Sequence, residues 1–227
     1  MRVVGFTIIG IIAFYGTIAF INNNEIENRI DVNKKGLMSF LIFLSTTLLY
    51  YKYNESMEFY MYFYLSIYLV ITGYIDYKTK NVYTILNYLT MIIGTLYLIY
   101  QNNIGIDVKF TIICVIIYII FIKIMGFFNL FGDGDTDIFI ALAFFISNIN
   151  FNTFPLVTLL INMVLSNMIL IISNIRFVDI KRGRFKEERA FAPSIALSTM
   201  LLIFLLWFQG IWMERGKTQC KRLAIFM

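Results

Sequence analysis

The sequence predicts an all-α polytopic membrane protein, an N-terminal two-helix hairpin followed by a core of six further helices. Three observations carry that reading. The 227 residues are 59% hydrophobic and 15% charged, where ordinary globular chains are roughly 45–50% apolar and about 25% charged. Mean hydropathy is +0.76. The apolar residues fall in long continuous stretches, and a bilayer core about 30 Å thick asks for roughly 20 of them per helix. Disorder, a coiled coil and an ordinary soluble enzyme are excluded. A barrel is excluded as well, since its strands would alternate apolar and polar residues. In lipid, a helix satisfies its own backbone groups.

Eight spans follow in chain order. Val3–Ile21 has one basic residue before it and no small-residue cleavage site before Asn22, so it reads as a retained helix and not a signal peptide. Leu37–Tyr53 completes the hairpin. Met57–Ile75 opens on the aromatic run Phe59-Tyr60-Met61-Tyr62-Phe63-Tyr64, which suits an interface belt and helix packing. Val82–Tyr100 comes next. Val108–Phe128 contains Cys114, expected as a buried, inert thiol. Ile138–Ile149 is the shortest span. Phe154–Ser173 and Phe191–Trp212 begin beside Pro155 and Pro193, at positions where a helix tolerates proline. Asn162 and Asn167 are expected to hydrogen-bond between helices. Residues 1–53 form the hairpin, 54–213 the core and 214–227 a basic tail.

Net charge is +5. In a membrane chain the ordinary cause is lysine and arginine in cytoplasmic loops, so no nucleic-acid partner is expected. Numbering the loops by alternation puts twelve basic residues on one side and seven on the other. The richer side, with Lys78, Lys80, Lys123 and the Arg176–Arg189 segment, is expected to be cytoplasmic, in the cell membrane. That segment can also hold anionic lipid head groups, at about 1 kcal/mol per charge.

Composition also narrows the chemistry. The chain has no histidine, which removes His-based triads, His metal sites and imidazole acid–base catalysis. Its two cysteines, Cys114 and Cys220, are too few for a thiolate zinc site and too far apart to read as a redox pair. Carboxylates remain. Asp31, Asp107 and Asp179 lie in polar loops, where solvation explains them. Asp76 ends the third span, and Asp133, Asp135 and Asp137 lie between the fifth and sixth. Ionisable groups at membrane depth cost about 2.5–3.5 kcal/mol to insert and are functional candidates by default.

Alternation places Asp76 and the acidic cluster at one membrane face, although 59 residues separate Asp76 from Asp135. Two carboxylates held close share one proton, the arrangement of an aspartyl protease, which needs neither histidine nor metal. Asp133 and Asp137 read as solvated or electrostatic neighbours. Gly132 and Gly134 lack Cβ, so the backbone there can take positive φ and come close to another chain, such as an extended substrate. A calcium loop starting at Asp133 fails, because its sixth and twelfth positions are Ile138 and Phe144.

Gly132-Asp133-Gly134-Asp135 matches the Gly-x-Gly-Asp signature of membrane aspartyl proteases. Ile75-Asp76-Tyr77-Lys78 through Asn87-Tyr88-Leu89-Thr90 resembles the stretch of type IV prepilin and archaeal preflagellin peptidases that carries their first catalytic aspartate. Phe191-Ala192-Pro193 resembles their late Pro-Phe-x-Pro element, with Ala190 in place of the first proline. Together the three cover about residues 57–213. The departures are Asp137, where that family commonly has lysine, and Val82-Tyr83-Thr84, which lacks the usual proline. The cysteine-rich segment of the large bacterial members is absent. The resemblance implies a six-helix Gly-x-Gly-Asp protease core with Asp76 and Asp135 catalytic, no cofactor and no metal. Gly132, Asp133, Gly134 and Asp137 would border the substrate. The implied partners are pilin-like or flagellin-like precursors, cut at the cytoplasmic face between a basic leader and an apolar helix. A magnesium-dependent membrane transferase and an ion transporter or channel remain as alternatives.

Overall fold

The computed structural model describes residues 2–24, 30, 35–128, 130–147, 155–174, 178–179, 184–185 and 190–204. Eight helices are present among them: α1 (Arg2–Asn24), α2 (Lys35–Tyr53), α3 (Met57–Thr79), α4 (Thr84–Asn103), α5 (Lys109–Phe127), α6 (Asp133–Ile146), α7 (Pro155–Ser173) and α8 (Ala192–Phe204). The only other regular structure among the described residues is a two-residue antiparallel pairing, Val178–Asp179 with Arg184–Phe185, between α7 and α8.

The chain is an α-helical, membrane-embedded protein. Four helices, α1, α4, α5 and α7, are long and apolar enough to cross a bilayer. The other four expected spans fall short of that description for separate reasons. α2 carries Ser45, Thr46 and Thr47, and α3 carries five tyrosines between Tyr60 and Tyr74, so both are less apolar. α6 has 14 residues, about 21 Å at 1.5 Å per residue. α8 is described only to Phe204.

Tyr62, Tyr68 and Tyr74 are buried, because α3 is walled by α1, α2, α4 and α6, whereas Tyr60 and Tyr77 are exposed. From Leu65 to Asp76 every residue except Val70 is buried. Phe59 stacks on Phe63 at 5.7 Å, and both meet Phe6 of α1, so the aromatic run packs helices together as expected. The hairpin leans on α3 throughout. A Cβ at Gly10 would lie 2.8 Å from Ile42 of α2 and 3.3 Å from Ile67 of α3, so glycine permits this three-helix contact. Phe14 meets Tyr74 at 5.6 Å. The Asn22 side chain accepts from the Ile30 N–H at 2.7 Å and donates to its carbonyl at 3.0 Å. Arg2 pairs with Glu55 at the other end.

α6 is the second buried helix, with Phe139, Ala141 and Phe145 fully enclosed. Asn162 bridges α7 to α8 as expected, donating to Thr199 at 3.1 Å and accepting from Ser198 at 3.0 Å. Asn167 instead donates to the Met163 carbonyl of its own helix. Cys114 is buried and free, and Pro155 opens α7.

Two expectations about the acidic cluster change. It does not form a loop ahead of α6 but its first turn, with Gly132 as the N-cap. Neither Gly132 nor Gly134 takes positive φ. Gly132 is extended at φ −65°, Gly134 is helical, and among the described glycines only Gly105 is left-handed. Their missing side chains serve close packing instead.

Candidate active site

Asp76 lies just past the apolar stretch ending at Ile75 and is 4% exposed. Helix α3 continues to Thr79 and stops at Lys80, which is left-handed and returns its N–H to the Asp76 carbonyl at 2.7 Å. The Asp76 side chain is therefore held one turn inside a capped helix end. Its Oδ2 accepts the Ala192 N–H at 2.8 Å, and the neighbouring Phe191 N–H also favours the ionised carboxylate. Both donors belong to the start of α8, where amides have no partner inside their own helix. A carboxylate there is favoured by the helix dipole.

Gly73 of α3 faces the first turn of α8: a Cβ there would sit 3.4 Å from the Pro193 Cα, in ordinary contact. The entry to α8 is also tied to α6 by rings. Phe191 stacks on Phe131 at 5.8 Å and meets Phe139 edge-on at 5.8 Å.

Asp135 is the third residue of α6. Its carboxylate lies on the side of the Gly132 N–H, which favours its ionised form. A Cβ on Gly132 would lie 3.1 Å from Asp135 Oδ2. Glycine at 132 thus leaves the carboxylate its place. Gly134 answers a different need, because a Cβ there would meet the Val82 Cβ at 2.7 Å. It lets the α3–α4 connection press against α6. Thr136 donates to the Gly132 carbonyl at 3.0 Å, and a Cβ on Gly126 of α5 would crowd its hydroxyl at 2.9 Å.

A short run of contacts thus joins the two aspartates: Asp76 to the amides of Phe191 and Ala192, Phe191 to Phe131, and Phe131 to the turn that Asp135 caps. Their charges also interact. Asp135 is pushed up to about 7, first by burial and then by the Asp76 charge, against the Gly132 N–H. Burial raises Asp76 too, and the α8 amides oppose it. The Asp76 charge thus favours a proton on Asp135.

The rest of the acidic cluster diverges. Asp137 pairs with Lys123 of α5 at 3.0 Å, so it is not a free carboxylate awaiting a basic ligand. Asp133 is exposed. Among the described residues, no three acidic or cysteine side chains converge where they could hold a metal ion. Most of the Arg176–Arg189 segment, the tail 214–227 and Cys220 lie outside the described residues. Phe131, Phe139, Gly73, Val82 and Lys123 border these aspartates or their helix ends, and the sequence does not mark them as site residues. Two clues were local, since Gly73 stands three residues before Asp76 and Phe131 immediately before Gly132. Lys123 is remote in sequence from Asp137, and Val82 from Gly134. Searches against protein-family models, curated proteins and solved structures found no match for this chain.

Proposed function

We propose that the chain is a membrane aspartyl endopeptidase that removes a short basic leader from pilin-like or flagellin-like precursors. The observation that supports this reading is that Asp76 and Asp135, two buried or half-buried carboxylates on different helices, lie near enough at one end of the bundle for the Asp76 charge to raise Asp135. The Gly-x-Gly-Asp resemblance supplies the substrate class. Helices α3 to α8 would be the six-helix core and α1–α2 an addition braced against α3. The positive-inside count would place the site at the cytoplasmic face of the cell membrane.

The chemistry follows from one shared proton. The ionised carboxylate takes a proton from water as the water oxygen attacks the scissile carbonyl carbon. The protonated carboxyl gives its proton to the carbonyl oxygen, forming a neutral gem-diol. The C–N bond then breaks. The amine leaves with the proton taken from water, and the gem-diol returns one to the other carboxylate, restoring the pair.

The test uses purified protein in detergent and a precursor with a basic leader before an apolar segment, with products read by mass spectrometry. A cut between leader and apolar segment that survives EDTA is expected. Turnover that EDTA abolishes would favour a metal-dependent transferase. Ion flux altered by Asp76→Asn, with no proteolysis, would favour a transporter or channel.

A further inference from the structure

The two carboxylates of the site are not equivalent, and the difference lies in what caps them. Asp76 Oδ2 takes the Ala192 N–H at 2.8 Å, from the dipole-bearing start of another helix, and the Phe191 N–H beside it also favours the ionised form. Among the described residues no hydrogen bond from another helix reaches Asp135, and only the Gly132 N–H of its own turn favours its charge. The Ala192 N–H has no other task. The first helical bonds of α8 run from Ser194 and Ile195 to the Phe191 carbonyl. Phe191 is fixed at the same time by the ring of Phe139, on the helix that carries Asp135, and by that of Phe131 just ahead of it. Among the described residues, the only charged group acting on Asp135 is Asp76, and Asp76 is acted on by these amides and by burial.

We propose that the first turn of α8 is the positioning element that divides labour within the pair: the Ala192 N–H holds Asp76 as the carboxylate that takes the water proton, and Asp135 is the carboxyl that donates to the substrate carbonyl. The proposal rests on the peptidase reading for the word substrate. The placement of the proton does not depend on it. Ala192 is thus a positioning residue, acting through Asp76. A hydrogen bond from a neutral donor to a charged acceptor favours the ionised form, so removing it moves the proton toward Asp76.

The experiment is a carbon-13 NMR titration of side-chain carboxyl-labelled aspartate in the full-length protein in micelles. Signals are assigned by their loss in Asp76→Asn and Asp135→Asn. In the wild-type protein Asp76 is expected to ionise at lower pH than Asp135. Ala192→Pro deletes the N–H at the first helical position, where proline is accepted. It should raise the Asp76 midpoint by about one pH unit, the size set by one charge-assisted hydrogen bond. Ala192→Gly keeps the N–H and should leave the midpoint in place. If precursor is cleaved, the acidic limb of its pH–rate profile should move up with Ala192→Pro. Asp135 ionising first in the wild type would overturn the proposal without any substitution. So would an Asp76 midpoint unmoved by Ala192→Pro. Shifted titration with no cleavage by any variant would uphold the proton assignment and remove the peptidase reading.

Discussion

Gly134 and Gly132 stand two residues apart, yet the structure predicts opposite consequences when each becomes alanine. A Cβ at Gly134 would lie 2.7 Å from the Val82 Cβ and 3.0 Å from its Cγ2. Carbon atoms rest about 3.5–4.0 Å apart, so roughly 1 Å must open. The Val82 Cβ is fixed to the backbone, and no rotamer change moves it. The α3–α4 connection must shift, and overpacking of this kind costs about 1–3 kcal/mol. For a chain of this length that is a fall in Tm of about 2–4 °C per kcal/mol. At Gly132 the new Cβ meets only Asp135 Oδ2, at 3.1 Å. A carboxylate can swing away by a few tenths of an ångström, so stability should change by less than about 1 kcal/mol. The same swing displaces a reacting group, and small misplacements cost rate heavily, about 100-fold for 1 Å. Gly134→Ala should therefore lower Tm, and Gly132→Ala should lower cleavage rate at near-native Tm. The assay is thermal unfolding followed with a thiol-reactive dye on buried Cys114, in a Cys220→Ala background, beside initial rates on precursor. Val82→Gly added to Gly134→Ala removes the clashing atom and should recover Tm. An unchanged Tm in Gly134→Ala, or no recovery with Val82→Gly, would refute the packing argument.

Three further predictions follow from the same contacts. Asp76→Ala strands the amides of Phe191 and Ala192 and should cost about 1–3 kcal/mol, while Asp76→Asn keeps an acceptor oxygen and should cost less; equal unfolding midpoints would deny the capping role. The Asp135 carboxyl holds its proton to about pH 7 when folded against 3.8 ordinarily. Folding thus takes up a proton between those values, so this group's stabilisation is full at low pH and is lost as pH rises toward 7. Asp135→Asn cannot ionise and should flatten that part of a Tm-against-pH curve; an unaltered curve would contradict the raised value. Exposed Asp133 is the acidic residue open to a basic leader, since Asp137 is paired with Lys123. Asp133→Lys should slow cleavage of basic-leader precursors more than neutral-leader ones, and Asp137→Lys should show less of that selectivity. Equal losses for both leaders with Asp133→Lys would remove the electrostatic role.

Much of the helical order was legible because lipid imposes long apolar stretches, and the connections fall where polar residues cluster. Helix ends were less so. Hydropathy begins the sixth span at Ile138, but Asp133 to Asp137 are helical, because an acidic first turn is welcome at a helix N-terminus. Hydropathy is indifferent to that preference. From sequence alone the glycines suggest backbone freedom, whereas at Gly132 and Gly134 a Cβ would meet Asp135 and Val82. The contact of Gly134 with Val82 joins residues far apart in the chain, and a single sequence carries no trace of it. The same holds for Ala192, whose side chain has no chemistry and whose backbone N–H holds Asp76. The carboxylates themselves were visible because charge is rare in this composition and histidine is absent.

The central claim is that Asp76 and Asp135 act as one catalytic pair, and the most direct test compares precursor cleavage by the wild-type protein, Asp76→Asn and Asp135→Asn. Removing an acid–base partner costs about 10²–10⁴-fold in rate, so each substitution alone should nearly abolish cleavage in protein that still unfolds cooperatively. Cleavage at a wild-type rate by either folded variant would contradict the claim.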